Sequence, residues 1–390
     1  MPRRNVAVKR IEPVLLVVAT LLVVVGARAG HEFPVYPSYY PHAVTVETID
    51  PDPAAQQLRS GTIQAYVGGE PAFGAKAPES VTAVESLGSL LVIRVNRASP
   101  LAQDAASACT VARTIVRAIA THPARVTIHP YPVTPLHGDF LYHADLAAAA
   151  RRDLLEGSAA TLPATARLRV RALGTLARSA LPERWITDSP SADATVEDLD
   201  AEHLMTAAAT QTNGWMGPPW VRTGWFNAVR LLGGSIDDAT ALARVTADRR
   251  RLGRREYASV VERINLERDL VTALTSGCRA LVAGYSVKRA YLNTDYSAGI
   301  ENIGYDFVTG LASSIFVRTV KLKDFPWNGR LAIGIDSNPT AAWNPIAGFD
   351  DPFGRLLWSA LGDPALLPAP DDVGWMLNRV SDVRSSAAGR

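Results

Sequence analysis

Cysteine is nearly absent, Cys109 and Cys278 being the two in 390 residues. That excludes cysteine-based zinc and redox motifs, which need closely spaced thiols. An excess of one charge is missing too. With 40 basic residues against 38 acidic ones the net charge is +2, so nucleic acid is not an expected partner. Several catalytic signatures are also lacking. There is no GxSxG elbow and no HExxH pair, and GGEPAFGAK (68–76) lacks the ending of a phosphate loop. No internal repeat and no low-complexity tract occurs. After the N-terminus no further apolar run reaches the roughly 20 residues of a membrane span, so the body is expected to be soluble.

The N-terminus is rich where the rest is poor. Arg3, Arg4, Lys9 and Arg10 precede an apolar run from Val14 to Ala27, and Ala27-Arg28-Ala29 completes an A-x-A pattern. Basic leader, apolar middle and small-residue cleavage site form the anatomy of a secretory signal peptide. The expectation is cleavage after Ala29 and a periplasmic location in a bacterium. An uncut leader, the alternative, would be the chain's only contact with a membrane. Export permits a disulfide, yet Cys109 lies in the apolar helical pattern CTVARTIVRAIA, so its pairing with Cys278 stays open.

Along the body, strand patterns alternate with helix patterns, which predicts an α/β fold. Strands are expected at Ala43–Ile49, 62–68, 81–86, 89–96, 125–129, 279–286, 313–322 and 330–335. Helices are expected at Pro53–Arg59 with Asp52 as cap, at 102–120, from Asp145 as cap to Gly157, at 196–210, in two stretches parted near Leu252-Gly253, at 353–361 and at 372–379. The segment 189–200 reads as a linker. The expected division is therefore 1–29 leader, 30–190 α/β lobe and 191–390 mixed helical and α/β lobe.

Four of the seven histidines fall between His122 and His143, in a loop stiffened by Pro130, Pro132 and Pro135. His129, His137 and His143, with Asp145, are the candidate ligands should a metal be bound, although their spacing matches no metal signature. Otherwise the histidines would contact a solute. A second candidate is the aromatic stretch holding Trp215, Trp220 and Trp225, with Arg222 available to an anion. A third is the acidic segment with Asp295, Glu301 and Asp306, where carboxylates could act as acid and base.

LRSGTIQAYVGGEPAF (Leu58 to Phe73) and SLGSLLVIRVNRASPL (Ser86 to Leu101) resemble the bacterial periplasmic solute-binding proteins, the phosphonate-type ones especially. The resemblance covers about a quarter of the chain. It implies two α/β lobes closing on a ligand, with Tyr36, Ser38, Tyr39, Gly68 and Gly69 facing the cleft. The long helical stretch from Thr195 to Gly277 departs from that pattern. The expected function is capture of a small polar or anionic solute between lobes, for an ABC-type membrane permease and without a cofactor. His129, His137, His143, Trp220, Arg222 and Trp225 would complete the lining. Alternatives are a periplasmic metal-dependent enzyme using the histidine loop, or an accessory subunit of a membrane-associated electron-transfer complex. Intact mass of the chain secreted by a bacterial host tests the leader: the expected mature protein begins at Gly30, and an unprocessed mass selects the anchor.

Overall fold

The computed structural model describes residues 38–74, 76–122, 125–157, 162, 166–210, 222–340, 351–362, 366–369 and 374–378. The leader and Tyr36 lie outside these residues, as do Trp215 and Trp220. In chain order the first elements are β1 (Ala43–Thr48), α1 (Pro51–Ser60), β2 (Ala65–Val67), β3 (Val81–Val95), α2 (Ala105–Thr121) and β4 (Thr127–Ile128). There follow α3 (Ala144–Arg151), β5 (Val170–Leu173), α4 (Thr175–Ser179), β6 (Ala194–Asp200), α5 (Ala201–Thr210) and α6 (Gly224–Leu232). The remainder comprises α7 (Ala239–Arg254), α8 (Val260–Thr275), β7 (Ala280–Asn293), β8 (Ile300–Glu301), α9 (Phe316–Thr319), β9 (Lys321–Leu322), β10 (Arg330–Ile335), α10 (Pro352–Leu361), β11 (Leu366–Pro368) and β12 (Trp375–Leu377).

The fold is α/β, as the alternation predicts. One sheet runs in the order β1-β10-β2-β7-β3-β6-β5, with β4 also pairing to β7. Its backbone is the antiparallel pair β3–β7, in register from Val81–Asn293 to Arg94–Ala280. At one end of this ribbon β7 carries β2 and, beyond it, β10 and β1. At the other end β3 carries β6 and β5. The sequence boundary near 190 therefore falls between two strands that lie side by side.

Both faces of the ribbon are covered, which is why Leu90 to Val95 reads as a nearly unbroken apolar run. Leu90 and Val92 enter one core with α6 and α8, while Leu91, Ile93 and Val95 enter another with α2. A strict pleat would send Leu87 to the second core, yet it joins the first. The cause is a bulge: between Leu87–Val287 and Leu90–Tyr285, β3 advances three residues and β7 two. A second bulge, between Leu91–Gly284 and Val92–Val282, advances β7 by the extra residue and restores the register. At the ribbon's other end Val81 and Tyr66 share one core, and Ala290, Leu292 and Phe316 share another.

Several expectations are corrected. The strands read at 81–86 and 89–96 are one strand, because the bulge absorbs Gly88 without ending the ladder. The stretch read as a linker contains β6, whose Ala194 and Val196 are fully buried. The strand read at 313–322 is α9 followed by the two-residue β9, and the helix read at 372–379 contains β12. Helix α7 runs through Gly253 and closes on Arg255 in the left-handed region (φ 56°). Helix α8 starts late, where the Ser259 hydroxyl accepts the Glu262 N–H. Asp52 lies inside the first turn of α1, and Asp50 takes the cap position. Asp145 likewise lies inside the first turn of α3 instead of capping it.

Cys109, on α2, and Cys278, just before β7, form a disulfide across a separation of 169 residues. It ties a covering helix to the central ribbon. By loop entropy a closure of 169 residues is worth about 5 kcal/mol. The Cys109→Ala/Cys278→Ala double variant is thus expected to lose several kcal/mol in urea unfolding, and an unchanged midpoint would show that the crosslink is energetically idle.

Candidate functional site

The histidine loop leaves the sheet at β4, whose Thr127 and Ile128 pair with Tyr285 and Gly284 of β7. Those partners lie within the patch bounded by the two bulges. Gly284 is required there, because a Cβ would collide with the Thr127 carbonyl oxygen. The His129 N–H donates to Ala283 O (3.2 Å), and the chain then turns inward at Pro130. A short 3-10 turn at Phe140–Tyr142 delivers it to α3.

The loop's imidazoles are turned into the protein. His129 donates from Nε2 to Val133 O (2.8 Å) and sits edge-on to the Tyr285 ring. The fully buried His137 has both nitrogens engaged, Nδ1 with the Thr134 N–H (3.0 Å) and Nε2 with the Asn227 carboxamide (2.9 Å). Burial holds the pKa of each below the ordinary histidine value. Asp145 chelates the Arg268 guanidinium with both oxygens (2.7 Å each), which lowers its pKa. His137 and Asp145 thereby have both ring nitrogens and both carboxylate oxygens, respectively, engaged by the protein, and His129 has its Nε2 so engaged.

His143 differs. Its Nδ1 meets the Tyr131 hydroxyl (3.0 Å), while Nε2 is buried without a hydrogen-bond partner, and Asp139 and Glu267 lie close by. These three residues offer one ligand atom each, all within 4.8 Å of one another. The Asp139 carboxylate sits at the N-terminus of α6 and accepts the Gly224 N–H with both oxygens (2.9 Å each), where the helix dipole favours negative charge. Glu267 projects from α8, and burial raises its pKa to about 7 despite the Arg263 guanidinium at 2.9 Å. Sequence reading missed Glu267 because its helical surroundings, VVERINLERDL, look like any charged helix face. Only its placement two turns or less from Leu270 and Val271, on the buried side, could have singled it out.

A second region lies on β7 itself. β2 pairs with Leu292 and Tyr291, and β4 pairs with Tyr285 and Gly284, on the same edge of the strand. Among the described residues no strand pairs with Ser286–Ala290 on that edge. Gly68 and Gly69 follow directly from β2, running antiparallel to β7 toward this gap. Gly68 needs its positive φ (96°), and a Cβ there would meet the Phe353 ring and Asp336. Charges cluster around the gap. Glu85 accepts from the Arg289 guanidinium (2.8 Å), Lys288 pairs with Asp200 (2.8 Å), and the Tyr291 hydroxyl donates to Glu70. All are more than a third exposed or lie at the surface, unlike the histidines.

The other expected residues are dispersed. Ser38 and Tyr39 strap the chain to Pro326 O and Leu322 N–H. Trp225 is buried in the core, edge-on to Phe226. Arg222 pairs with Asp306 (2.7 Å), so the two charges of separate candidates face each other. Asp295 accepts from the Ser297 N–H (2.9 Å) in a local turn. A separate cavity of about 240 Å³ lies between α2, the start of α7 and Cys278, with Asp237 and Arg279 paired at its wall (3.6 Å).

The buried neutral histidines set a pH dependence. An imidazole whose folded pKa is lowered contributes stability that is lost as pH falls below the unfolded value of about 6.5. The histidines' contribution is therefore expected to drop between pH 7.5 and 5.5, against an opposite contribution from Glu267, whose raised pKa favours the fold as its carboxyl takes up a proton. His129→Gln, which keeps a donor for Val133 O, should shallow that drop; an identical pH slope in wild type and variant would remove His129 from the account.

No family model matches the chain, and no curated protein matches its sequence. Solved structures do. One is NikZ from Campylobacter jejuni in complex with Ni(L-His), 15% identical, TM-score 0.32, covering 65% of this chain and 56% of that one. A second is MppA, a periplasmic murein tripeptide binding protein in its unliganded open form, 11% identical, TM-score 0.41, covering 70% and 56%. A third is the oligopeptide-binding protein AppA from Bacillus subtilis in complex with a nonapeptide, 14% identical, TM-score 0.35, covering 70% and 59%. This chain thus spans somewhat over half the length of each. The three are thus described as a Ni(L-His) complex, a murein tripeptide binding protein and an oligopeptide-binding protein, and none is described as phosphonate-type.

Proposed function

We propose that the exported chain is a binding protein that captures a small polar or anionic solute for a membrane permease of the ABC type. The observation that supports this most is the gap on β7. Strand sets hang from opposite ends of the β3–β7 ribbon, and the stretch between β2 and β4 that no strand pairs among the described residues, Ser286–Ala290, is bordered by Gly68, Gly69, Glu70, Glu85, Lys288 and Arg289. An open strand edge supplies backbone donors and acceptors to a ligand, and its charged rim supplies selectivity. Two bodies on one ribbon can close over such a gap by bending the ribbon at its middle.

The enzyme alternative fits less well. A catalytic metal needs a position open to substrate, and of the loop histidines that the alternative would use, His137 and His143 are 3% and 0% exposed.

A thermal-shift screen over amino acids, short peptides, organic and inorganic anions, sugars and quaternary amines tests the reading. A ligand present at 100 times its Kd should add about 2.7 kcal/mol of stability. Arg289→Ala should weaken that ligand about 10-fold to 100-fold, the usual worth of a charged hydrogen bond. Silence from every class, or a hit indifferent to Arg289 and Lys288, would overturn it.

A further inference from the structure

The inward-facing atoms of Asp139, His143 and Glu267 have a common property. Each side chain is already held by the protein: His143 Nδ1 by the Tyr131 hydroxyl (3.0 Å), Glu267 Oε1 by Arg263 (2.9 Å), and both Asp139 oxygens by the Gly224 N–H (2.9 Å each), the carboxylate keeping further lone pairs. Among the described residues, His143 Nε2 and Glu267 Oε2 are buried and have no hydrogen-bond partner. An orphaned buried polar atom costs about 1–3 kcal/mol. Here two orphans and a carboxylate are aimed at one small volume, and all three present lone pairs.

A proton can join two of these atoms, the third already accepting the Gly224 N–H. A cation serves all three. We propose that Asp139, His143 and Glu267 hold a divalent first-row transition ion, of which zinc is the type, in an enclosed structural centre. The donor set points to this class. An imidazole nitrogen with carboxylate oxygens suits transition ions, whereas calcium and magnesium take all-oxygen shells. Two carboxylates and a neutral imidazole balance a charge of two. Tetrahedral bonds of about 2.0–2.2 Å place ligand atoms roughly 3.4 Å apart. The three ligand atoms, now within 4.8 Å of one another, would close to that spacing on binding. The outer grips are those that metal-binding side chains ordinarily have: a partner on the far imidazole nitrogen fixes the tautomer, and a cation on the far carboxylate oxygen fixes its plane.

The centre would join three elements distant in sequence, namely the histidine loop, the first turn of α6 and the second turn of α8. It is separate from the gap on β7, so it stands or falls independently of the solute-binding reading.

The test uses the full chain, with zinc and cobalt(II) as probes. Protein exhaustively dialysed after loading should retain about one equivalent of zinc by elemental analysis, and chelator should lower its Tm. Cobalt(II) at the site should give visible absorption bands of a nitrogen-oxygen ligand field. Glu267→Gln keeps the shape and should weaken zinc at least tenfold; Tyr131→Phe should weaken it 10-fold to 100-fold, the range for an outer partner. His203→Gln, at an exposed histidine, and Arg289→Ala should leave zinc binding unchanged. The proposal is overturned if neither ion binds and Tm ignores chelator, with Glu267→Gln as stable as wild type or more so. Protons would then be what the three atoms share. It is equally overturned if zinc binds but His203→Gln abolishes it.

Discussion

Everything in this fold hangs on the pairing of β3 with β7. The two strands pair from Val81–Asn293 to Arg94–Ala280, so their union closes a loop of well over a hundred residues. Such long-range pairing is entropically costly and needs a strong hydrophobic return. The sequence supplies it by making the ribbon apolar on both faces at both ends. The covalent link from Cys109 to Cys278 then fixes the covering helix to the residue that leads into β7. Sheet, disulfide and helical layers are consequences of one pairing.

The layer over the first core carries an unusual density of buried polar groups for so apolar a setting. His137, His143, Asp139, Asn227 and Glu267 are all buried within it. Most are satisfied by short local bonds or by helix termini, which is the ordinary condition for polar groups in a low-dielectric interior. Loop and helices are thereby locked in register by directional bonds that apolar packing alone does not supply. This rigidity also places β4, and so one border of the gap on β7.

Much of this was legible in the residues. Alternating strand and helix patterns gave the α/β class, and Gly61 and Gly277 mark helix ends close to where α1 and α8 stop. The histidine cluster lies on the loop that carries Asp139 and His143. What could not be read was pairing across the chain. Glu267 lies far from the loop it meets, and nothing local distinguishes it from Glu262, which caps the start of the same helix. The strand errors had local causes: the β-branched and aromatic run SSIFVRTVKL has strand propensity, but Phe316 and Val320 are fully buried on one side of a helical turn, so tertiary packing decided the matter. Lys288 and Arg289 lie beyond the strand read at 279–286, whereas β7 runs on to Asn293 and carries both.

The two bulges in the ribbon can be put in the terms of heredity. They act as a frameshift and its suppressor. The extra residue on β3 moves the frame, the extra residue on β7 restores it, and between them lies the short patch that receives β4. A single-residue deletion on either strand would exchange the faces of everything beyond it, sending Leu91, Ile93 and Val95 toward the wrong core. A matched deletion on both would cost only the patch. The lengths of these two strands can therefore change in evolution only together, although more than a hundred residues separate them in the chain.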